Sequence, residues 1–160
     1  MKNIIIRKAQ KTDVKEIAHV LLDFYNMENY KEAVHTFESE YDKDYHYIVA
    51  IENEKIIGLV TWVMHGLPKH GLFELDRICL LKQSRGKGVG KQLVDALVND
   101  AGLWYEKAGA MIRKLYLLTH EENNSAQFFY EKIGFSHETS LKSHYYNRKD
   151  ERVYSMFFNS

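Results

Sequence analysis

The sequence predicts an α/β or α+β sandwich, with strands interleaved among helices in the order β, α, α, β, β, β, α, β, α, β, β. Three observations predict it. Short β-branched runs alternate with stretches whose apolar residues recur at helical spacing. Two pairs of strand-like runs are separated only by turn or polar residues, as hairpins are. A glycine-rich stretch, "QSRGKGVGKQL" from Gln83 to Leu93, joins an apolar run to a helical pattern.

Asn3 to Arg7 is β-branched and reads as the first strand. Thr12-Asp13, with Glu16 three residues after Asp13, is a capping-box pattern. It opens a helix that carries Val14, Ile17, Ala18, Leu21 and Leu22 on one face. The tyrosine-rich region from Phe24 to Tyr45 is expected to hold a second short helix and loops. Tyr47 to Ile51 and Lys55 to His65 read as an antiparallel hairpin turning at Glu52-Asn53-Glu54. A loop from His65 to Gly71 leads to the strand Leu72 to Leu81. Leu93, Ala96, Leu97, Ala101, Leu103 and Trp104 then mark a helix, and Arg113 to Thr119 a buried strand. Asn123 to Ile133 is helical and stops at Gly134, as a C-terminal cap would stop it. Phe135 to Ser143 and Arg152 to Phe158 read as the last strands, flanking a polar loop from Tyr145 to Asp150.

A chain of 160 residues fits one domain with a single sizeable core. The 22 basic and 22 acidic side chains balance, so no global field argues for nucleic acid or a membrane surface. Any phosphate recognition must be local. The single cysteine, Cys79, cannot form an internal disulfide, which fits a reducing cytosol. No apolar stretch approaches the ~20 residues of a membrane span, and MKNIIIRKAQ has too short an apolar run for a secretory signal. The expected location is the cytoplasm.

The glycine turn fails two phosphate-binding patterns. A Walker loop needs Gly, four residues, then Gly-Lys-Ser/Thr; Gly90-Lys91 is followed by Gln92, and the first glycine falls on Arg85. A dinucleotide turn needs G-x-G-x-x-G; the third position is Lys91 counted from Gly86 and Leu93 counted from Gly88. What remains is a strand, a glycine turn and a helix N-terminus. Such an end presents unpaired N–H groups and the positive pole of the helix dipole to an anion. Arg85, Lys87 and Lys91 can add charge; the competing reading is a solvated loop with basic decoration.

Arg85-x-x-Gly88-x-Gly90 after "ELDRICLL" resembles motif A of the GNAT (GCN5-related) N-acetyltransferases, which cradles the pyrophosphate of acetyl-coenzyme A. Downstream, Asn123, Ala126, Tyr130, Gly134 and Phe135 resemble the family's N-x-x-A-x-x-x-Y-x-x-x-G-F segment. Gln83-x-x-Gly86-x-Gly88 also fits the first motif; the Arg85 register places Leu93 at the usual distance after Gly90. The resemblance implies a single domain over residues 1–160, with a mixed, mostly antiparallel central sheet of about seven strands flanked by about four helices. It also implies that Ile78, Cys79 and Leu80 hold the pantetheine arm on a bulged strand. Arg85, Gly86, Lys87, Gly88, Val89, Gly90 and Lys91 would hold the pyrophosphate.

The implied reaction is acetyl transfer to an amine by direct attack on the thioester. An amine must lose a proton first, because ammonium groups titrate at ~10.4 for lysine and ~8 for an α-amino group. The resemblance puts an oxyanion-stabilising N–H near Leu80 and makes Tyr130 the acid beside the leaving sulfur. The competing reading of Tyr130 is a ring packed into the core. Asn123 either contacts the coenzyme or caps its helix. For the base, Glu74 ranks first, with Asp76 on the same strand face, His120 and solvent as alternatives. Bacterial ribosomal-protein acetyltransferases of the family use a glutamate where this chain has Leu118, so that detail does not transfer. Cys79 reads as a buried small hydrophobe rather than a nucleophile, and the histidines show no metal-binding spacing.

Two segments are expected to shape the acceptor site: "FYNMENY" from Phe24 to Tyr30, and the loop and last strand "KSHYYNRKDERVYSM". The second, with Tyr145, Tyr146 and Asp150, resembles the ends of acetyltransferases that act on protein N-termini. Its competing reading is edge-strand packing. Glu28 and Glu40 are candidates for attracting a cationic amine, or are ordinary surface carboxylates. The expected partners are acetyl-coenzyme A and a protein, polyamine or small-molecule amine, with no metal, nucleic acid or membrane; the family also allows a homodimer. The alternative from another class is a non-catalytic acyl-coenzyme A sensor.

Overall fold

The computed structural model describes residues 3–24 and 27–158. Its strands are β1 (Ile5–Lys8), β2 (His46–Glu52), β3 (Lys55–His65), β4 (Leu72–Leu80), β5 (Lys114–His120), β6 (Ser136–Tyr146) and β7 (Lys149–Phe157). The helices are α1 (Val14–Phe24), α2 (Tyr30–Tyr41), α3 (Val89–Lys107) and α4 (Asn124–Lys132), with three short 3-10 turns. The strands form a seven-stranded sheet in the order β1-β2-β3-β4-β5-β7-β6. β4 and β5 are parallel, while the β1–β2, β2–β3, β5–β7 and β6–β7 pairs are antiparallel. The predicted element order and mixed, mostly antiparallel sheet are therefore present.

Met1–Val63 with Arg77–Ala101 form one compact unit, and Met64–Asp76 with Gly102–Ser160 form a second. In the first, α1 buries Ile17, Ala18, Val20 and Leu21, and α2 buries Ala33 and Phe37. These pack in one cluster with Tyr47, Val49, Ile56, Leu59 and Cys79 from the sheet. Burying such apolar side chains contributes about 1.5–3 kcal/mol each. The hairpin β2–β3 turns through Asn53 and Glu54, both left-handed (φ 52° and 64°), which suits the twist of paired strands. In the second unit, Phe73, Tyr105, Leu115, Leu117 and Tyr154 are almost wholly buried, and the Tyr105 hydroxyl donates to the Leu72 carbonyl at 2.7 Å. Gly71 (φ 58°) anchors the start of β4: a Cβ there would lie 2.3 Å from the Met111 carbonyl oxygen. Its own carbonyl accepts from Arg113 N at 2.8 Å and Lys114 N at 3.0 Å.

Two local expectations need correction. Asp13 does not start α1 as its cap. It closes a 3-10 turn, Lys11–Asp13, and its carboxylate accepts from Gln10 N at 2.8 Å while pairing with Arg7. That pairing holds the Asp13 carboxyl below the usual carboxylate range. Residues 145–150 are not a polar loop, because β6 runs on to Tyr146 and β7 begins at Lys149. Side chains supply the partners that a regular ladder would: Ser143 N donates to the Asp150 carboxylate and Arg148 N to the Ser143 hydroxyl, each at 3.0 Å. The strands thus extend past a register shift between Leu141 and Tyr146.

Candidate functional site

The glycine turn belongs to the first unit and follows the end of β4. On that strand Cys79 is fully buried, and Ile78 and Leu80 are half-buried. Gly58 of β3 allows their close approach, since a Cβ there would lie 2.7 Å from the Cys79 carbonyl oxygen. Arg77 N donates to the Thr61 hydroxyl at 3.0 Å, a side-chain acceptor within the ladder. Leu81 N donates to the Ile57 carbonyl at 2.9 Å.

Within the turn, Gly86 (φ 77°) and Gly88 (φ 81°) are left-handed, a conformation glycine adopts without steric cost. A Cβ on either would meet nothing within 4 Å, so the turn is open on its outer side. α3 starts at Val89, and Gln92 N donates to the Gly88 carbonyl at 3.2 Å. The N–H groups of Val89, Gly90 and Lys91 precede that bond, where a helix end leaves donors for a ligand. The three cations differ in their surroundings. Arg85 Nε donates to the Leu80 carbonyl at 3.1 Å, and its guanidinium lies 5.1 Å from the centre of the Phe24 ring. Lys91 pairs with Asp95 at 2.8 Å, one helical turn on. Lys87 is exposed. These features fit an anionic pyrophosphate held by backbone donors with cationic side chains at its margin.

In the second unit, the Asn123 side chain accepts from Ala126 N at 3.2 Å and so caps α4. Gln127, one turn into the helix, donates to the carbonyls of His120 (3.0 Å) and Glu121 (2.8 Å), tying α4 to the end of β5. Tyr130 is 7 % exposed, with its ring 5.8 Å from Phe135 and 6.3 Å from Tyr154. Both readings of these residues, capping and core packing, have a geometric basis.

The same unit gathers the candidate bases. Glu74 stands level with Tyr116 in the β4–β5 register. Its Oε1 lies 2.8 Å from His65 Nε2 and accepts from the Tyr116 hydroxyl at 3.4 Å. Burial raises the Tyr116 phenol far above its ordinary value, and the negative charge of Glu74 adds to this. His120, the last residue of β5, faces Glu151 of β7, with Nδ1 2.6 Å from Oε1. Burial raises the Glu151 carboxyl, against the opposing pull of His120 and His144. Tyr145 and Tyr146 lie on β6, the last strand in the sheet order, and are largely exposed; the Tyr146 ring is 6.1 Å from that of His120. The Tyr145 phenol is nonetheless raised, by partial burial first and then by the negative charges of Glu74, Asp76 and Glu151.

The sequence singled out Glu74 and His120 but missed their partners His65, Tyr116 and Glu151. Strand alternation could have placed Glu74 and Tyr116 on one face only with the β4–β5 register in hand. Glu40, a candidate carboxylate for attracting an amine, is half-buried; it accepts from Tyr47 at 2.6 Å and pairs with Arg77. In the segment from Phe24 to Tyr30, Tyr25 and Asn26 lie outside the described residues. Among the described residues, no group of three metal-ligating side chains is placed to hold an ion, and no helix is long and apolar enough to cross a membrane.

The family model "Acetyltransferase (GNAT) domain" matches residues 43–137. The chain is similar to N-alpha-acetyltransferase 30 of Schizosaccharomyces pombe, 28% identical over 69% of this chain and 71% of that protein. It is also similar to the spermine/spermidine N(1)-acetyltransferase of Bacillus subtilis, 30% identical over 52% of this chain and just over half (56%) of that protein. The solved ribosomal-protein-S18-alanine N-acetyltransferase of Escherichia coli superposes with a TM-score of 0.77 at 20% identity, over 99% of this chain and 96% of that one.

Proposed function

The chain belongs to the GNAT acetyltransferase family and is an N-acetyltransferase; from that premise we propose that it moves an acetyl group from acetyl-coenzyme A to a primary amine by direct attack on the thioester. The observation that carries the proposal is the turn itself. Two left-handed glycines, Gly86 and Gly88, open directly onto the N-terminus of a 19-residue helix. Backbone donors there answer a pyrophosphate without a globally basic protein.

In this reading Arg85, Gly86, Lys87, Gly88, Val89, Gly90 and Lys91 hold the pyrophosphate, and Ile78, Cys79 and Leu80 the pantetheine arm. Asn123 caps α4 and lines the coenzyme's path. Glu74 takes the acceptor's proton, and Tyr130 returns one to the departing sulfur. The whole chain, residues 1–160, acts as one domain in the cytoplasm, alone or as a homodimer, with no metal, nucleic acid or membrane partner. The acceptor is a protein or peptide amine, a polyamine or a small-molecule amine. The two similar proteins, one named for α-amino groups and one for spermine and spermidine, put peptide N-termini and polyamines first in any screen.

Thiol release from acetyl-coenzyme A, measured against a panel of peptides, polyamines and small amines, tests the proposal. At least one amine class is expected to accelerate release well above hydrolysis. Tight coenzyme binding with no acceleration by any amine would instead identify a binding module.

A further inference from the structure

Glu74 has an unusual setting for a strand carboxylate. Its side chain is 16 % exposed, and two groups converge on one of its oxygens. His65, at the end of β3, brings Nε2 to 2.8 Å from Oε1, and Tyr116 on β5 brings its hydroxyl to 3.4 Å from the same atom. The two rings also lie close to each other, 5.5 Å between centres and tilted by 44°. Tyr116 keeps its proton far above neutrality, which makes its O–H the donor and Glu74 the acceptor. His65 donates equally as the Nε2–H tautomer or as imidazolium. A carboxylate has about four lone-pair sites on two oxygens. His65 at 2.8 Å and, more weakly, Tyr116 at 3.4 Å both engage Oε1, which restricts the group and leaves Oε2 for a third partner.

The reaction needs such a partner. An amine arrives as ammonium and must shed one proton before its nitrogen can attack. As the N–C bond forms and the C–S bond breaks, the sulfur leaves with the electron pair. The nitrogen sheds a second proton in giving the neutral amide, and the thiolate takes one proton to become the thiol. Ammonium plus thioester thus gives amide, thiol and one proton, which must have an acceptor. Such an acceptor works only when held within hydrogen-bond reach of the proton it removes.

We infer, resting on the transferase reading above, that His65 and Tyr116 are positioning residues for catalysis: together they hold Glu74 by Oε1 so that Oε2 receives the proton of the acceptor amine. Neither residue need touch the substrate.

A double-mutant cycle tests this. His65→Leu is expected to lower kcat by on the order of tenfold, with the KM for acetyl-coenzyme A unchanged. His65→Gln, which restores an N–H donor at similar reach, should recover most of that loss. Tyr116→Phe should lower kcat in the same way. In a Glu74→Gln background, neither His65→Leu nor Tyr116→Phe should reduce kcat further, because the group they position has already been disabled. Full additivity in that background would overturn the inference, as would an unchanged kcat in both single variants. If His65→Leu fails to fold, the Tyr116→Phe cycle decides alone. A loss of turnover confined to His120 and Glu151 variants would move the proton acceptor to that pair and also overturn it. Absence of amine-dependent turnover in the wild type would defeat the transferase reading and this inference with it, whereas turnover with additive variants defeats only the inference.

Discussion

His120 and Glu151 stand directly opposite each other on β5 and β7, with the imidazole Nδ1 2.6 Å from a carboxylate that is only 3 % exposed. Burial penalises the charged carboxylate and raises its proton affinity in the folded state. The folded protein therefore keeps this proton to higher pH than the unfolded chain does. Stability from this group is greatest below the unfolded value, ~4.3, and falls as pH rises through the folded one. Nδ1 of His120, 2.6 Å away, counteracts that loss by donating a hydrogen bond to the carboxylate, a bond that counts for more the more the carboxylate is ionised. His120→Ala should therefore destabilise the protein more at pH 7.5 than at pH 4.5, by roughly 1–3 kcal/mol at the higher pH. Thermal melts at both values check this; an equal deficit at the two would mean that His120 does not support the ionised carboxylate.

Gly88 offers a direct test of the anion site. Its φ of 81° strains any other residue by roughly 1–2 kcal/mol, yet a Cβ there meets nothing within 4 Å. Gly88→Trp should fold, melt a few degrees lower by a rough estimate, and lose most of its affinity for coenzyme A through bulk at the turn. Gly88→Ala controls for the strain alone. Calorimetric titration reads the affinity, and a Gly88→Trp variant that binds as tightly as wild type would place the pyrophosphate elsewhere.

Tyr130→Phe keeps the ring against Phe135 and Tyr154 and deletes only the hydroxyl. If that hydroxyl protonates the leaving sulfur, turnover should fall about 10- to 100-fold. Coenzyme affinity should change by no more than about threefold, given that only a hydroxyl is removed. Single-turnover rates across pH separate the two effects. Unchanged rates throughout would return Tyr130 to a packing role.

The helices and most strands could be read from the chain because their signals are local. α1 follows from apolar residues at helical spacing, and the β2–β3 hairpin from two β-rich runs around a short turn. The glycine turn was readable for the same reason: its conformational demand falls on Gly86 and Gly88, one residue apart in sequence. The end of the last hairpin was not. Residues 145–150 look polar, but the Ser143 and Asp150 side chains satisfy backbone donors across the bulge, which propensity alone does not register. The partners of Glu40 were not legible for a related reason: Tyr47 and Arg77 come from two different strands.

By itself the sequence determined the order of the elements, the turn that opens α3, and the family to which both motifs point. Each depends on neighbours a few residues apart, where spacing and backbone preference suffice. Only the tertiary structure decided which titratable groups act together. Glu74 meets Tyr116 through a parallel register between strands joined by a long crossover, and His120 meets Glu151 through an antiparallel one. A shift of a single residue in either register would turn these side chains to opposite faces of the sheet. The pairing of charges is set by how the strands lie side by side, not by any pattern along the chain.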